Sequence, residues 1–139
     1  MGQKMGQRTA KKPAKKTGRG MYTIEKIPSK KRVVLLLDKY QDHDRPQFTL
    51  DFQAAVLCVK GGADHFDILA DFSGSMVMPQ DIATDSMTLA QWLVANGLRR
   101  SANVSQSVTQ QMQVRRVTAN DAHFQMFPTR TIAEAWLDA

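Results

Sequence analysis

The sequence predicts a single α/β domain: a mixed, largely parallel sheet of five strands with about four helices packed on it. Three observations carry this expectation. Apolar runs of strand length alternate along the chain with segments whose apolar residues recur at helical spacing. One run, Val33 to Leu37, is apolar at every position, a pattern that belongs in a sheet covered on both faces. The chain has 139 residues, 42% of them hydrophobic, which supports one core and leaves no room for two.

The elements follow in order. Tyr22 to Ile27 reads as a short strand, closed by the turn residues Pro28-Ser29-Lys30-Lys31, and Arg32 to Asp38 reads as a second. So short a connection implies an antiparallel hairpin at one side of the sheet. Tyr40 to Asp44 is polar loop. Asp44 is placed to cap a helix with Pro46 in its first turn. Phe48, Phe52, Ala55, Val56 and Val59 give that helix an apolar face, and Gly61-Gly62 supplies its left-handed stop. Phe66 to Phe72 is the third strand, broken by Ser73-Gly74-Ser75. Pro79 opens a second helix with the stripe Ile82, Ser86, Leu89 and Leu93, joined by Trp92, and Asn96-Gly97 ends it.

Arg99-Arg100 precede a short fourth strand, Ser101 to Val104. Ser105 or Ser107 caps a third helix running to about Thr118. Its expected apolar side is Val108, Met112 and Val117, with Val114 nearby; Gln110, Gln111, Gln113, Arg115 and Arg116 are expected to face water. His123 to Phe127 alternates as the fifth strand. Thr131-Ile132-Ala133-Glu134 has the spacing of a capping box, opening a final helix with Ala135-Trp136-Leu137. The resulting order is β-β-α-β-α-β-α-β-α. Strands joined through single helices need right-handed crossovers and hence parallel neighbours, but this leaves the strand order open.

Charge divides the chain at residue 20. Residues 1–20 hold seven basic side chains and no acid, while residues 21–139 hold twelve basic residues against thirteen acids, a net −1. The first segment is too poor in apolar residues to offset its ordering entropy, so a disordered basic tail is expected ahead of a domain over 21–139. Met21 offers an alternative natural start, which would make the tail vector-derived or an over-called start. Lys11, Lys12, Lys15 and Lys16 resemble basic extensions that bind nucleic acid non-specifically. No aromatic interleaving or recognition signature accompanies them.

Several classes drop out. The single cysteine, Cys58, allows no disulfide within this sequence and no thiolate zinc site; in mid-helix it is expected to be a small core residue. His43, His65 and His123 lie far apart without ligand spacing, so neither metal nor cofactor is expected. Asp38, Asp42, His43 and Asp44 read as a cap and solvated loop. There is no nucleophile elbow and no phosphate-cradling P-loop. No apolar run approaches the ~20 residues of a membrane span, and the basic start lacks an apolar segment behind it, so a cytoplasmic location is expected.

The loop from Asp71 to Asp81 is the candidate binding surface. It follows the carboxyl end of a central strand, where open α/β sheets place their crevices. Asp71, Ser73, Gly74, Ser75 and Asp81 would supply polar and backbone groups; Phe72, Met76, Val77 and Met78 would supply adaptable apolar contact. A phosphate on Ser73 or Ser75 would gain from amide donors at a helix start, whereas the bland reading is a solvated strand-to-helix turn.

Tyr22-Thr23-Ile24-Glu25, Val33 to Leu37, Asp71-Phe72-Ser73-Gly74, Phe124-Gln125-Met126-Phe127 and Ala133-Glu134-Ala135-Trp136-Leu137 occur in an order that resembles the STAS/SEC14-like group. Within it they resemble the SpoIIAA-like family of small bacterial proteins, over residues 21–139. The resemblance implies a small cytosolic domain without established enzyme activity, whose relatives bind proteins or small apolar ligands. In the anti-anti-sigma branch a Ser within Asp-Ser-Ser-Gly at a helix start is phosphorylated. Asp71-Phe72-Ser73-Gly74 keeps Asp-x-Ser-Gly but at a strand end, and Asp85-Ser86 is followed by Met87-Thr88, so Ser73 and Ser86 are candidate positions without the full switch. The expected function is a non-enzymatic regulatory module contacting a protein partner or small apolar ligand. The alternatives are nucleic-acid association through the tail, or a small hydrolase or isomerase using the histidines.

Overall fold

The computed structural model describes residues 15–16, 21–38, 45–74 and 80–139. β1 (Met21–Ile27) and β2 (Arg32–Asp38) form the antiparallel hairpin across a 3₁₀ turn, Pro28–Lys30. Then come α1 (Arg45–Lys60), β3 (Phe66–Gly74), α2 (Gln80–Ala95), β4 (Leu98–Val104), α3 (Val108–Val117), β5 (Phe124–Phe127) and α4 (Arg130–Asp138). The strands lie in chain order, β1-β2-β3-β4-β5, and β2 through β5 are parallel. Of the tail, Lys15–Lys16 adds a two-residue antiparallel pairing outside β1, opposite Tyr22 and Met21; the rest of residues 1–20 lies outside the described residues, as do Tyr40 to Asp44.

The all-apolar run in β2 has a simple cause. Val33, Leu35 and Leu37 join Ile68 and Ala70 of β3 beneath α1, whose Phe52, Val56 and Val59 complete that core with Leu93 of α2. Val34 turns the other way, with Leu69, Ala102 and Val104, toward Ala133 and Leu137 of α4. Both faces are thus buried, by different helices. Stepping one strand at a time with right-handed crossovers puts the connecting helices on one face and leaves the other to α4.

Local expectations fail in five places. β3 runs through Ser73 to Gly74, because Asp38 of β2 still pairs with Gly74. Arg99 and Arg100 lie inside β4, which begins at Leu98 opposite Phe66. On α3 the buried face is Gln110, Val114 and Val117, while Val108 and Met112 are 69% and 53% exposed. Gln110 tolerates burial because its Oε1 accepts the Ser105 hydroxyl at 2.6 Å. The cap of α4 is Thr129, whose Oγ1 accepts the Ile132 N–H at 3.3 Å; Glu134 instead pairs with Arg130 at 3.2 Å. Cys58 is exposed rather than in the core, since the inward face of α1 is set by Phe52, Ala55, Val56 and Val59; its sulfur lies 3.6 Å from Lys26 Nζ.

Candidate functional site at the carboxyl edge of the sheet

Because β2 to β5 run parallel, their carboxyl ends share one edge, and the helices that follow them start from it. Asp71 sits there on central β3, between Leu36 of β2 and Val104 of β4. Its Oδ1 accepts the Ser73 backbone N–H at 2.9 Å and the Ser73 hydroxyl at 2.6 Å. The two bonds close an Asx-type turn that fixes the serine at the strand outlet. Phe72, on the alternate face, packs against the α1 core, so it anchors the strand end. Ser73 and Gly74 are exposed.

The neighbouring helix starts are firmly held. Ser107 Oγ accepts the Gln110 N–H at 3.2 Å, and buried Ser105 takes the Ser107 N–H at 3.1 Å while its carbonyl accepts from Gln111 Nε2 at 2.8 Å. Around this edge large apolar side chains remain exposed: Leu36 near the end of β2, Leu50 early in α1, Val108 opening α3 and Ile132 in the first turn of α4. Exposed apolar side chains on elements that meet one edge can contribute to binding another surface.

Of the expected site residues, Asp71, Phe72, Ser73 and Gly74 are brought together. Ser75, Met76, Val77 and Met78 lie outside the described residues; Asp81 is in α2, and half-buried Ser86 lies within the same helix. A phosphate on Ser73 would replace a donor with like charge beside the Asp71 carboxylate.

No protein-family model matches the chain, and no curated protein matches it. A solved structure does: an uncharacterised protein of the DUF3478 family with a SpoIIAA-like fold, from Shewanella loihica PV-4. It aligns with a TM-score of 0.57 and 17% identity over 90% of each chain.

The fold is SpoIIAA-like.

The opposite, amino edge of this SpoIIAA-like domain carries a polar cluster that the sequence did not reveal. The Asp67 carboxylate is buried and receives Arg99 Nε at 2.9 Å and Nη2 at 2.5 Å. Buried Arg32 lies 4.0 Å from the same carboxylate and donates to Asp138 at 2.7 Å, where Lys30 also reaches at 3.3 Å. Arg99 donates to the Leu137 carbonyl at 2.9 Å; Arg100 donates to the Trp136 carbonyl and lies 5.0 Å from the centre of that indole ring. The last turn of α4 has no basic residue of its own, so sheet arginines satisfy its terminal carbonyls and its partial negative charge. Hydrogen bonds from Arg32 and then Lys30 hold the Asp138 carboxyl below the usual carboxylate range. Arg99 and Arg100 looked like solvated charges because their partners are remote in sequence.

Each described histidine is paired with a neighbouring carboxylate: His65 with Asp64 at 3.0 Å, His123 with Asp121 at 2.5 Å. They precede different strands, and His43 lies outside the described residues. Among the described residues no group of three His, Cys, Asp or Glu could hold a metal ion, and no helix is long and apolar enough to cross a membrane.

Proposed function

We propose that the chain is a non-enzymatic, cytoplasmic regulatory module that works by binding a protein partner at the carboxyl edge of its sheet. The observation that carries this reading is Ser73 fixed by Asp71 at the outlet of the central strand, with exposed Leu36 of the adjoining strand opposite Asp71. An exposed apolar side chain beside a polar centre suits a recognition surface. Met76 to Met78 would add adaptable contact from the adjoining loop.

A small apolar ligand is the weaker reading. One cavity among the described residues is lined by Arg115, Asn120, Asp121 and Gln125, among others, and lies beside α3 and β5. Nucleic-acid association through Lys11, Lys12, Lys15 and Lys16 would be non-specific and salt-sensitive. The hydrolase or isomerase reading needs histidines that share a cleft, and His65 and His123 precede different strands, β3 and β5.

The test is affinity capture from the source cell, with bound protein identified by mass spectrometry. A partner retained by the chain lacking residues 1–20, and lost from Ser73→Arg, is expected. Nucleic-acid retention that survives the truncation at physiological salt, or a partner indifferent to Ser73→Arg, would overturn the proposal.

A further inference from the structure

β5 is an edge strand, with no strand along its outer side among the described residues. On its inner side, the Ser101 N–H bonds to the His123 carbonyl at 2.7 Å and the Ser105 N–H to the Phe127 carbonyl at 3.1 Å. The two-residue period of a strand therefore turns the backbone groups of Gln125 toward β4 and those of Phe124 and Met126 outward. The Phe124 N–H is taken by the Asp121 carbonyl at 3.0 Å. The Phe124 carbonyl and both backbone groups of Met126 are left facing away from the sheet.

Exposed strand edges are ordinarily blunted by charge, proline or a bulge. Phe124-Gln125-Met126-Phe127 is short, which itself limits edge pairing, but has none of these until Pro128. A cavity of about 200 Å³ adjoins the strand, walled by Arg115, Asn120 and Asp121 as well as Phe124 and Met126. The Asp121 Oδ1 accepts the His123 N–H at 2.8 Å and lies 2.5 Å from its ring nitrogen. Exposed Arg115 makes no ion pair among the described residues.

We propose that β5 receives an extended peptide of a partner protein by strand addition, with an acidic side chain of that peptide entering the cavity beside Arg115. The peptide donates to the Phe124 and Met126 carbonyls and accepts from the Met126 N–H. Its apolar side chains meet Phe124 and Met126. A second copy of this chain fits the edge poorly. Antiparallel self-pairing centred on Met126 sets Phe124 opposite Pro128, which has no N–H to give, and the register centred on Gln125 avoids the proline but brings no acidic side chain to Arg115, since Phe124-Gln125-Met126-Phe127 has none. This site lies apart from the carboxyl edge and does not depend on the function proposed there.

The experiment titrates the full ¹⁵N-labelled chain with two acetylated hexapeptides, Val-Thr-Glu-Thr-Val-Thr, whose valines share a face with Glu, and its Lys-for-Glu counterpart. The Glu peptide is expected to bind at least tenfold more tightly and to slow exchange of the Met126 amide at least tenfold. Met126→Pro should abolish binding while keeping the fold, because that N–H lies outside the ladder. Should the proline variant fail to fold, Arg115→Glu decides alone: it should reverse the preference between the two peptides. Absence of binding by either peptide, binding without protection of Met126, or protection that follows protein concentration without peptide would overturn the proposal. The last would mean that a second copy occupies the edge.

Discussion

Arg99 grips the buried Asp67 carboxylate with two nitrogens, 2.9 Å from Nε to Oδ1 and 2.5 Å from Nη2 to Oδ2, and from that position also caps the carbonyl of Leu137. One side chain thus ties β3, β4 and the end of α4. Asp67→Ala would leave Arg32 and Arg99 without their shared carboxylate, and a loss of about 3 kcal/mol is expected. Arg32→Met should cost much less, about 1 kcal/mol, since Asp67 keeps the Arg99 fork and the Arg32 Nε is already buried without a partner among the described residues. Urea denaturation midpoints of the two variants check the order. Equal losses would show that Arg32, not Arg99, is the principal partner of Asp67.

Acid should loosen the same end of α4. Arg32 and Lys30 depress the Asp138 carboxyl in the folded chain. A group depressed in this way stabilises the fold above its unfolded value and loses that contribution as pH falls through the folded one. The loss therefore begins below about pH 4. Asp121 is depressed in the same direction by the backbone and ring nitrogens of His123. Urea midpoints of the wild type and Asp138→Asn should differ at neutral pH and converge as the pH is lowered from 5 to 3. A gap independent of pH would contradict this account.

The α2–β4 turn depends on one glycine. Gly97 has φ +105°, and a Cβ there would stand 2.5 Å from the Asp64 backbone carbonyl oxygen. The nearest atoms all belong to the Asp64–His65 backbone, so no flexible side chain can yield. Gly97→Ala is expected to cost about 2 kcal/mol or more, whereas Gly62→Ala, with open space around it, should stay within about 0.5 kcal/mol. Thermal melting of the pair makes the comparison directly.

Cys58 should react in the folded state. Its exposure on α1 predicts complete modification by a thiol reagent in native buffer, at a rate close to that in denaturant. Protection until unfolding would mean that this face of α1 is covered.

Most of the architecture was legible because it rests on patterns of short range. The apolar run of β2, the stop at Gly61 and the hairpin turn at Pro28 each act within a few residues. What escaped were choices among partners, some remote, as Asp67 is for Arg99, and some only a few residues away. Gln110 is buried because Ser105 waits for it, which frees Val108 and Met112 to face outward although their spacing suits a core stripe. Thr129 displaces Thr131 as the cap of α4 because it directly follows the Pro128 that closes β5. At the candidate site, the position of Asp71 and Ser73 at a strand outlet was readable from sequence. The exposure of Leu36, Val108 and Ile132 was not, since it depends on which side of each element the fold covers.

A photoreactive phenylalanine analogue at position 73, compared with one at Ser29 on the opposite edge, tests the binding role most directly. Irradiated in the source cell, the first should yield a discrete protein adduct that Asp71→Arg eliminates, and the second should not. An adduct from Ser29 alone, or none from position 73, would contradict a working surface at the outlet of β3.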